Sequence, residues 1–171
     1  MACSCILNEY ELSCRDSLGG IQRVFIGCYD SDVIFGLTAS NEIISVSGPT
    51  VSYYKFEQEI ETGSFVQNGQ FSTENGTSFY EQTLEITLHK MDTIMRNRIS
   101  TLGQGKWRVI VLDQRGTYWL MGYQNPVRVS AATPNLGKAY GDLNGAVMTF
   151  LGKEPEPAYV IDPTLALTLI S

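Results

Sequence analysis

The most constraining feature of the sequence is the stretch SFYEQTLEITLHKMDTIMRNRISTLGQGKW, residues 78–107. Apolar and polar side chains alternate through its first part, which is the two-residue period of a strand with one buried face. The predicted buried positions are Tyr80, Gln82, Leu84, Ile86 and Leu88, and the predicted exposed positions are Glu81, Thr83, Glu85 and Thr87. Asp92 then suits a helix N-cap and Gly103 suits the residue just past a helix end. The stretch therefore predicts a strand followed by a short helix over about residues 92–102 that covers a sheet.

A second alternating run, YYKFEQEIE, occupies residues 53–61. One predicted face carries Tyr54, Phe56, Gln58 and Ile60, and the other carries Lys55, Glu57, Glu59 and Glu61. Both alternating runs place carboxylates on the wet face, so we expect them to pair antiparallel as a ribbon with one acidic face.

The segment between the two runs, residues 63–78, is polar and prone to turns. It holds Asn-Gly at 68–69 and again at 75–76, each favoured in a tight hairpin turn, which predicts a protruding arm. Its apolar residues are Phe65, Val66 and Phe71. They can fold back onto their own domain or dock onto a neighbouring subunit, and the sequence leaves both alternatives open.

The remaining segments also favour β-structure. Short strands are predicted at residues 21–28, 33–39 and within 40–50, and two strands at 106–113 and 117–123 carry apolar runs typical of burial on both faces. A further edge strand is predicted at 126–130, a long surface loop at 131–146 and a strand at 147–152. Residues 154–171 are predicted to be an extended tail that docks on this subunit or the next. The length favours one mainly β domain, a sandwich or barrel, over residues 1–171.

Charge and composition exclude some classes of function. The formal net charge is −6 and the sequence pI is about 4.7, so we expect no tight binding of nucleic acid through a basic surface. No run approaches the roughly 20 apolar residues of a membrane span. The opening residues MACSCILNEYEL lack a charged start and a long apolar run, which argues against a secretory signal and favours a cytosol-like compartment.

The four cysteines, Cys3, Cys5, Cys14 and Cys28, lie close together in the sequence. Their spacing differs from the tight pairs of structural zinc sites, so they are only a weak candidate metal site and free thiols are the expected state.

No residue pattern indicates catalysis. His89 lacks partners spaced for a triad, and GQGK at 103–106 is too short for a phosphate-binding loop. The carboxylates at 57, 59, 61, 81 and 85 alternate along strands and read as a solvated face. We expect no cofactor and no enzymatic activity.

The order of segments nevertheless resembles a known family. The runs CRDSLGGIQRVFIG, YYKFEQEIETGSF, NGTSFYEQTLEITLHKMD, TIMRNRISTLGQ, WRVIVLDQRGTYWLMG and GKAYGDLNGAVMTFLGKEPEPA resemble virion structural proteins of tailed bacteriophages that infect Bacteroidetes-type hosts. The resemblance covers most of residues 12–158. The layout is similar to the tail-tube fold, a β-sandwich or barrel with a flanking helix and a hairpin arm, and the apolar ending PTLALTLIS departs from it.

The resemblance implies a viral tail or neck component that forms hexameric rings stacked into a tube. Its bore would conduct DNA without sequence-specific binding, and its acidic lumen would be lined by Glu57, Glu59, Glu61, Glu81 and Glu85. Phe65, Val66 and Phe71 on the arm would then clasp a neighbouring subunit. The expected partners are further copies and other tail or neck proteins, with assembly in the host cytoplasm and a final place in the virion.

Two alternatives stay open. The chain could be a neck, ring, tail-completion or capsid-associated structural protein of the same virion class. It could instead be a β-sandwich module that binds carbohydrate or a host surface through stacking aromatic side chains; the candidates are Tyr53, Tyr54, Tyr80, Tyr118, Trp119 and Tyr123.

Overall fold

The computed structural model describes Leu7 and residues 9–170, and over these residues the chain is mainly β, as predicted. Eleven strands and two helices are formed by the described residues. In chain order they are β1 (Ile21–Cys28), β2 (Ile34–Leu37), β3 (Glu42–Ser47), β4 (Tyr53–Glu57), β5 (Ser64–Ser72), β6 (Thr77–His89), α1 (Thr93–Gln104), β7 (Trp107–Asp113), β8 (Tyr118–Met121), β9 (Arg128–Asn135), β10 (Gly145–Glu154), β11 (Tyr159–Ile161) and α2 (Pro163–Leu169).

The strands form two sheets that pack as a β-sandwich. The seven-stranded sheet, called sheet A, has the order β2-β3-β11-β8-β7-β1-β4, and the four-stranded sheet, called sheet B, has the order β5-β6-β10-β9. Neighbours are antiparallel except β11 and β3, which run parallel. Trp107 also bridges to Val127, which joins the two sheets at one corner.

The central strands of sheet A are buried on both faces, as their apolar runs predict. On the face toward sheet B, Val24, Val109 and Met121 join a core that includes Leu84 and Phe150. On the opposite face, a second core covers sheet A; its buried members include Phe25, Phe35, Ile43, Ile110, Leu120, Ile161 and Ala166. Ala166 of α2 is buried in the second core, and Leu165 and Leu169 pack against it, so α2 covers part of this face.

The alternating strand and its helix agree with the sequence at most positions. In β6, Gln82, Leu84, Ile86 and Leu88 are buried while Glu85 is exposed. Asp92 is the N-cap of α1, and its Oδ1 accepts a hydrogen bond from the Met95 amide at 2.8 Å.

The predicted helix end at Gly103 is wrong, because α1 continues to Gln104 and Gly105 is its C-cap. The Trp107 indole Nε1 donates to the Leu102 carbonyl at 2.8 Å, so a side chain from the next strand satisfies a group at the helix end. The indole also lies against Gly105, where an added Cβ would approach its ring to 2.2 Å.

The predicted acidic ribbon is not formed. β4 pairs with β1 in sheet A, whereas β6 pairs with β5 and β10 in sheet B, so the two alternating runs lie in different sheets. The physical reason is that Tyr53 packs into one core and Phe56 packs against the other, so β4 belongs to a sheet with apolar contacts on both faces. β4 also ends at Glu57, and the following residues turn, with Glu61 at φ 63°.

The predicted arm is a single hairpin, β5–β6, whose turn lies at residues 73–76 and includes Gly76 at φ 61°. The second predicted turn, at residues 68–69, is wrong because Asn68 and Gly69 lie within β5 opposite Glu81 and Tyr80. Gly69 instead gives room to aromatic rings, since an added Cβ would lie 2.8 Å from the Phe71 ring.

The predicted extended tail at 154–171 is also wrong. Residues 159–161 form β11, which enters sheet A between β3 and β8, and α2 follows. Asp162 caps α2 through its Oδ2, which accepts from the amides of Thr164 and Leu165, and Pro163 occupies the first turn. Ala166 is fully buried in the second core, so this segment docks on its own subunit, one of the two predicted alternatives.

The edge strand predicted at 126–130 is longer than expected, because β9 extends to Asn135 and shortens the predicted loop to residues 136–144. No helix among the described residues is both long and apolar enough to cross a membrane.

Candidate assembly surface

The outer edge of β5 is the most open part of the arm. β5 is the first strand of sheet B and pairs only with β6 among the strands of that sheet. Of its apolar residues, Phe65 is half-buried against the core, while Val66 is 47% and Phe71 is 69% exposed. The Phe71 ring meets Tyr80 edge to face, with centroids 5.8 Å apart. A nine-residue edge strand with exposed apolar side chains can pair with another chain.

The opposite edge of sheet B is β9, which is exposed from Ser130 to Asn135 and lies near α1. Every pairing in this sheet is antiparallel, and the sheet has four strands, so its edge strands β5 and β9 run in opposite directions. A β5 edge from one copy beside a β9 edge from another copy in the same orientation would therefore continue an antiparallel sheet.

The predicted acidic residues fall into two groups. Glu81 and Glu85 lie on the outward face of β6, where Glu81 is 3.5 Å from the Lys153 ammonium. Arg128 pairs opposite Leu151 on the neighbouring strands and adds a second cation to sheet B. This face thus carries both signs of charge.

The second group lies at β4 and the turn after it, where Glu57, Glu59 and Glu61 are all exposed. Lys55 lies 2.8 Å from Glu57, and this hydrogen-bonded pair lowers the pKa of the Glu57 carboxyl. The turn is tied to sheet B, because the Gln58 Oε1 accepts from the Thr87 amide at 2.9 Å and the Thr87 hydroxyl donates to the Thr62 carbonyl at 3.1 Å. The two groups therefore neighbour one another without sharing one strand ribbon.

The predicted thiol and histidine positions are only partly described. Cys14 and Cys28 are exposed and unpaired with each other, while Cys3 and Cys5 lie outside the described residues. His89 is exposed at the end of β6. Within the described part of the chain, no three His, Cys, Asp or Glu side chains are grouped so that they could hold a metal ion.

A buried cation, Arg108, was not singled out by the sequence reasoning. Its side chain is 1% exposed, and its Nε donates to the Gly122 carbonyl at 2.9 Å. The guanidinium carbon lies 4.7 Å from the centroid of the Tyr29 ring and 5.0 Å from that of Phe35. Burial raises the pKa of the nearby Tyr53 hydroxyl, and the positive charge of Arg108 opposes that effect. The available signal was an Arg inside the apolar run WRVIVLD, where a charge needs partners.

The buried carboxyl of Glu154 lies close enough to Arg108 to feel its positive charge. The Oε1 of Glu154 accepts hydrogen bonds from the amides of Gln124 at 3.0 Å and Asn125 at 2.8 Å, which holds the loop after β8 against the end of β10. Burial raises the pKa of the Glu154 carboxyl, although these hydrogen bonds oppose the rise. Gln82 lies beside the same small cavity and is 1% exposed. The hydrogen bonds of Glu154 stabilise the loop, and both Glu154 and Gln82 are closed to solvent.

A groove of about 910 Å³ separates α1 from β4. Apolar side chains of both sheets and of α1 line it, including Phe56 of β4, Leu88 of β6 and Met95 of α1. Tyr54 and Ile94 are exposed at its margin. The cations among its lining residues are Lys55 and Arg98. This feature, called the α1–β4 groove, was not predicted from the sequence, because it depends on which sheet β4 joins.

The six aromatic residues proposed for a binding module do not form one exposed surface. Tyr53 is buried and Tyr54 is exposed at the α1–β4 groove; the half-buried members are Tyr80, Tyr118, Trp119 and Tyr123.

The fold and these surfaces of the described residues define a β-sandwich-like domain with two sheets, open sheet edges and an apolar groove. Comparison with protein-family models, with curated proteins and with solved structures found no match to the chain.

Proposed function

We propose that this protein is a non-enzymatic structural subunit of a phage virion, which self-assembles into rings or a tube of the tail and forms a conduit for DNA. The observation that carries the proposal is the open edge of β5, with Val66 and Phe71 exposed on it. Edge strands of this length are normally shortened, charged or covered in monomeric proteins. β5 carries no Lys, Arg, Asp, Glu or Pro along its nine residues.

The edge strands of sheet B, β5 and β9, run in opposite directions, which supports a contact that repeats from one copy to the next. A β5 edge that meets a β9 edge is a contact between two different surfaces, so each added copy offers the same free edge again. Such a contact closes into a ring when the rotation between copies divides a full turn, and otherwise gives a helical filament. Stacked hexameric rings, as the family resemblance implies, are one closed solution.

The charges of sheet B suit a wall that DNA passes without binding. Its outward face pairs Glu81 with Lys153 and adds Glu85 and Arg128, which gives no concentrated basic surface in the described part of the sheet. Tight binding of DNA requires several cations that neutralise phosphates together. We propose this face as the lining of the bore, with Glu57, Glu59 and Glu61 near its margin, other tail or neck proteins as partners, and assembly in the host cytoplasm.

Negative-stain electron microscopy of the purified full chain tests the proposal, after its mass has been measured by light scattering over a range of concentrations. We expect rings or hollow tubes of regular diameter. A protein that stays monomeric at every concentration would contradict self-assembly and leave the β5 edge without its proposed role.

A further inference from the structure

Residues 9–20, which precede β1, and the α1–β4 groove are two exposed apolar features of the same chain. We infer that residues 9–20 of one copy bind in the α1–β4 groove of a second copy. The inference rests on the proposed self-assembly, because it names a contact through which copies associate. It adds a second interface to the sheet edges, formed by different residues.

The segment has the pattern of a strand without being one in the isolated subunit. Residues 9–20 are exposed throughout and belong to no helix or strand. Tyr10 and Leu12, 86% and 89% exposed, alternate with Glu9 and Glu11, which is the two-residue period of a strand with one apolar face. Burial of apolar side chains that are exposed this fully would lower the free energy of the system. The segment therefore suits addition to an open sheet edge above an apolar surface.

The groove offers both features. β4 is the last strand of sheet A, so its outer edge has no strand partner within the described residues. Tyr54 and Phe56 stand on the groove side of β4, with Ile94 and Met95 of α1 across from them. An extended segment beside β4 would gain main-chain hydrogen bonds from the edge and would bury its alternate side chains between β4 and α1.

Charge favours this occupant. Residues 9–20 contain the carboxylates Glu9, Glu11 and Asp16 and one cation, Arg15. The groove is lined by the cations Lys55 and Arg98 and the carboxylate Glu57, and α1 itself carries Arg96 and Arg98 with no acidic residue between Thr93 and Gln104. An acidic segment thus meets the basic side of a protein whose overall charge is negative.

The exposure of residues 9–20 favours a second copy over the same chain. The segment is exposed throughout and contributes no residue to the groove lining, so within one subunit it does not occupy the groove. The Gly20 carbonyl accepts from the Gln114 amide at 3.3 Å, which fixes the start of β1 beside the β7–β8 turn. Residues 9–20 therefore extend into solvent from a fixed point, which suits a neighbour in a head-to-tail contact.

Photo-cross-linking tests the inference. The full chain carries p-benzoylphenylalanine in place of Tyr10, and it is mixed with isotope-labelled wild-type protein before irradiation and peptide mass spectrometry. We expect cross-links between labelled and unlabelled copies that map to residues 53–57 or 94–102. The same photo-reactive residue in place of Leu167, exposed on α2 and outside the groove lining, is the control and should not label the groove.

The outcomes separate this contact from the proposed function. Cross-links confined to one copy, cross-links to other surfaces, or none in a sample that light scattering shows to be assembled would overturn the segment contact and leave self-assembly in place. A sample that is monomeric throughout would overturn both.

Association measurements give a second test that does not use a probe. The double substitution of Tyr10→Ser and Leu12→Ser should weaken association by at least about tenfold, since burial of even one side chain of this size contributes about that factor. Leu167→Ser, on the exposed side of α2, should leave association unchanged. Equal association of the double variant and the wild-type protein in sedimentation velocity would contradict the inference.

Discussion

The guanidinium carbon of Arg108, a residue that is 1% exposed, lies 4.7 Å from the centroid of the half-buried Tyr29 ring. The ring of Phe35 faces the same cation at 5.0 Å. Neither of the two ion pairs in the described residues involves Arg108, so aromatic faces and backbone carbonyls stabilise its charge. The Tyr29 hydroxyl in turn donates to the Gln124 carbonyl, which links this cation to the loop that Glu154 holds.

We predict that Arg108→Lys destabilises the protein more than Arg108→Met. The ammonium keeps a buried charge but loses the planar stacking and the bond to Gly122, which should lower the free energy of unfolding by about 3 kcal/mol. Met removes the charge together with the donors to the Gly122 and Tyr123 carbonyls, at a cost of about 1–2 kcal/mol. Urea denaturation measures both values, with the exposed Arg115→Lys as control. A larger loss for Met than for Lys would show that the charge itself stabilises the fold.

The buried carboxyl of Glu154 predicts a pH dependence. Its folded-state pKa is raised above the ordinary value of 4.5, so its contribution to stability is fully present below that value and is lost as pH rises through the folded-state pKa. Glu154→Gln keeps an oxygen that can accept from the amides of Gln124 and Asn125. We expect Glu154→Gln to gain stability relative to wild type as pH rises from roughly 4 to 7. Parallel stability curves in denaturant titrations would contradict this expectation.

A tyrosine near the surface gives a second titration. The Tyr159 hydroxyl donates to Glu156 Oε2 at 2.5 Å, and this hydrogen bond is the main cause that raises the pKa of Tyr159 to about 12. Glu156→Gln should return the pKa toward 10.0, as measured by NMR titration of ¹³C-tyrosine with Tyr159→Phe to assign the signal. In the wild-type protein the stabilisation is present below the unfolded-state pKa near 10 and is lost as pH rises toward 12. Glu74→Gln, in the exposed turn of the arm, should leave the Tyr159 signal unchanged.

Two substitutions in the arm distinguish an effect on assembly from an effect on the stability of the fold. Phe71→Ser removes an exposed ring whose described ring contact is with Tyr80, so the free energy of unfolding should fall by no more than about 1 kcal/mol while ring or tube formation is lost. Phe65→Ser is the matched comparison on the same strand. Because Phe65 packs against the core, its loss should destabilise the fold by about 2 kcal/mol or more. Normal assembly of folded Phe71→Ser, seen by light scattering and microscopy, would remove Phe71 from the proposed interface.

Patterns decided by local chemistry were predictable from the sequence. The burial of Gln82, Leu84 and Ile86 follows from a two-residue period, and the Asp92 cap follows from a side chain that reaches its own helix. The β-sandwich class follows from many such strands with turns between them.

Patterns decided by distant partners were not predictable. Alternation assigns the faces of a strand but not its neighbour, so the pairing of β4 with β1 across about 30 residues could not be read from residues 53–61. Asn68-Gly69 is a favoured turn, yet pairing with β6 and space for the Phe71 ring keep it in a strand. For α2, a local signal existed, because Asp162 followed by Pro163 is typical of a helix start.

The features of the candidate assembly surface were also predictable only in part. The exposed Val66 and Phe71 on the arm agree with one of the two alternatives that the sequence left open, and their docking on a neighbour stays a prediction. The α1–β4 groove arises because α1, which follows β6 of sheet B, lies beside β4 of sheet A. No local pattern in the sequence encodes this arrangement.

The insertion of β11 between β3 and β8 has a consequence for the order of folding during synthesis. Strand β3 pairs in sheet A only with β2 and with residues 159–161, so the β2–β3 hairpin can join the sheet only after those residues have left the ribosome. Until then the growing chain exposes apolar side chains such as Phe35 and Ile43, which are buried in the finished fold. Residues 159–161 must therefore be made and released before the subunit hides this surface, and a chain that stops earlier is a natural target for chaperones and proteases.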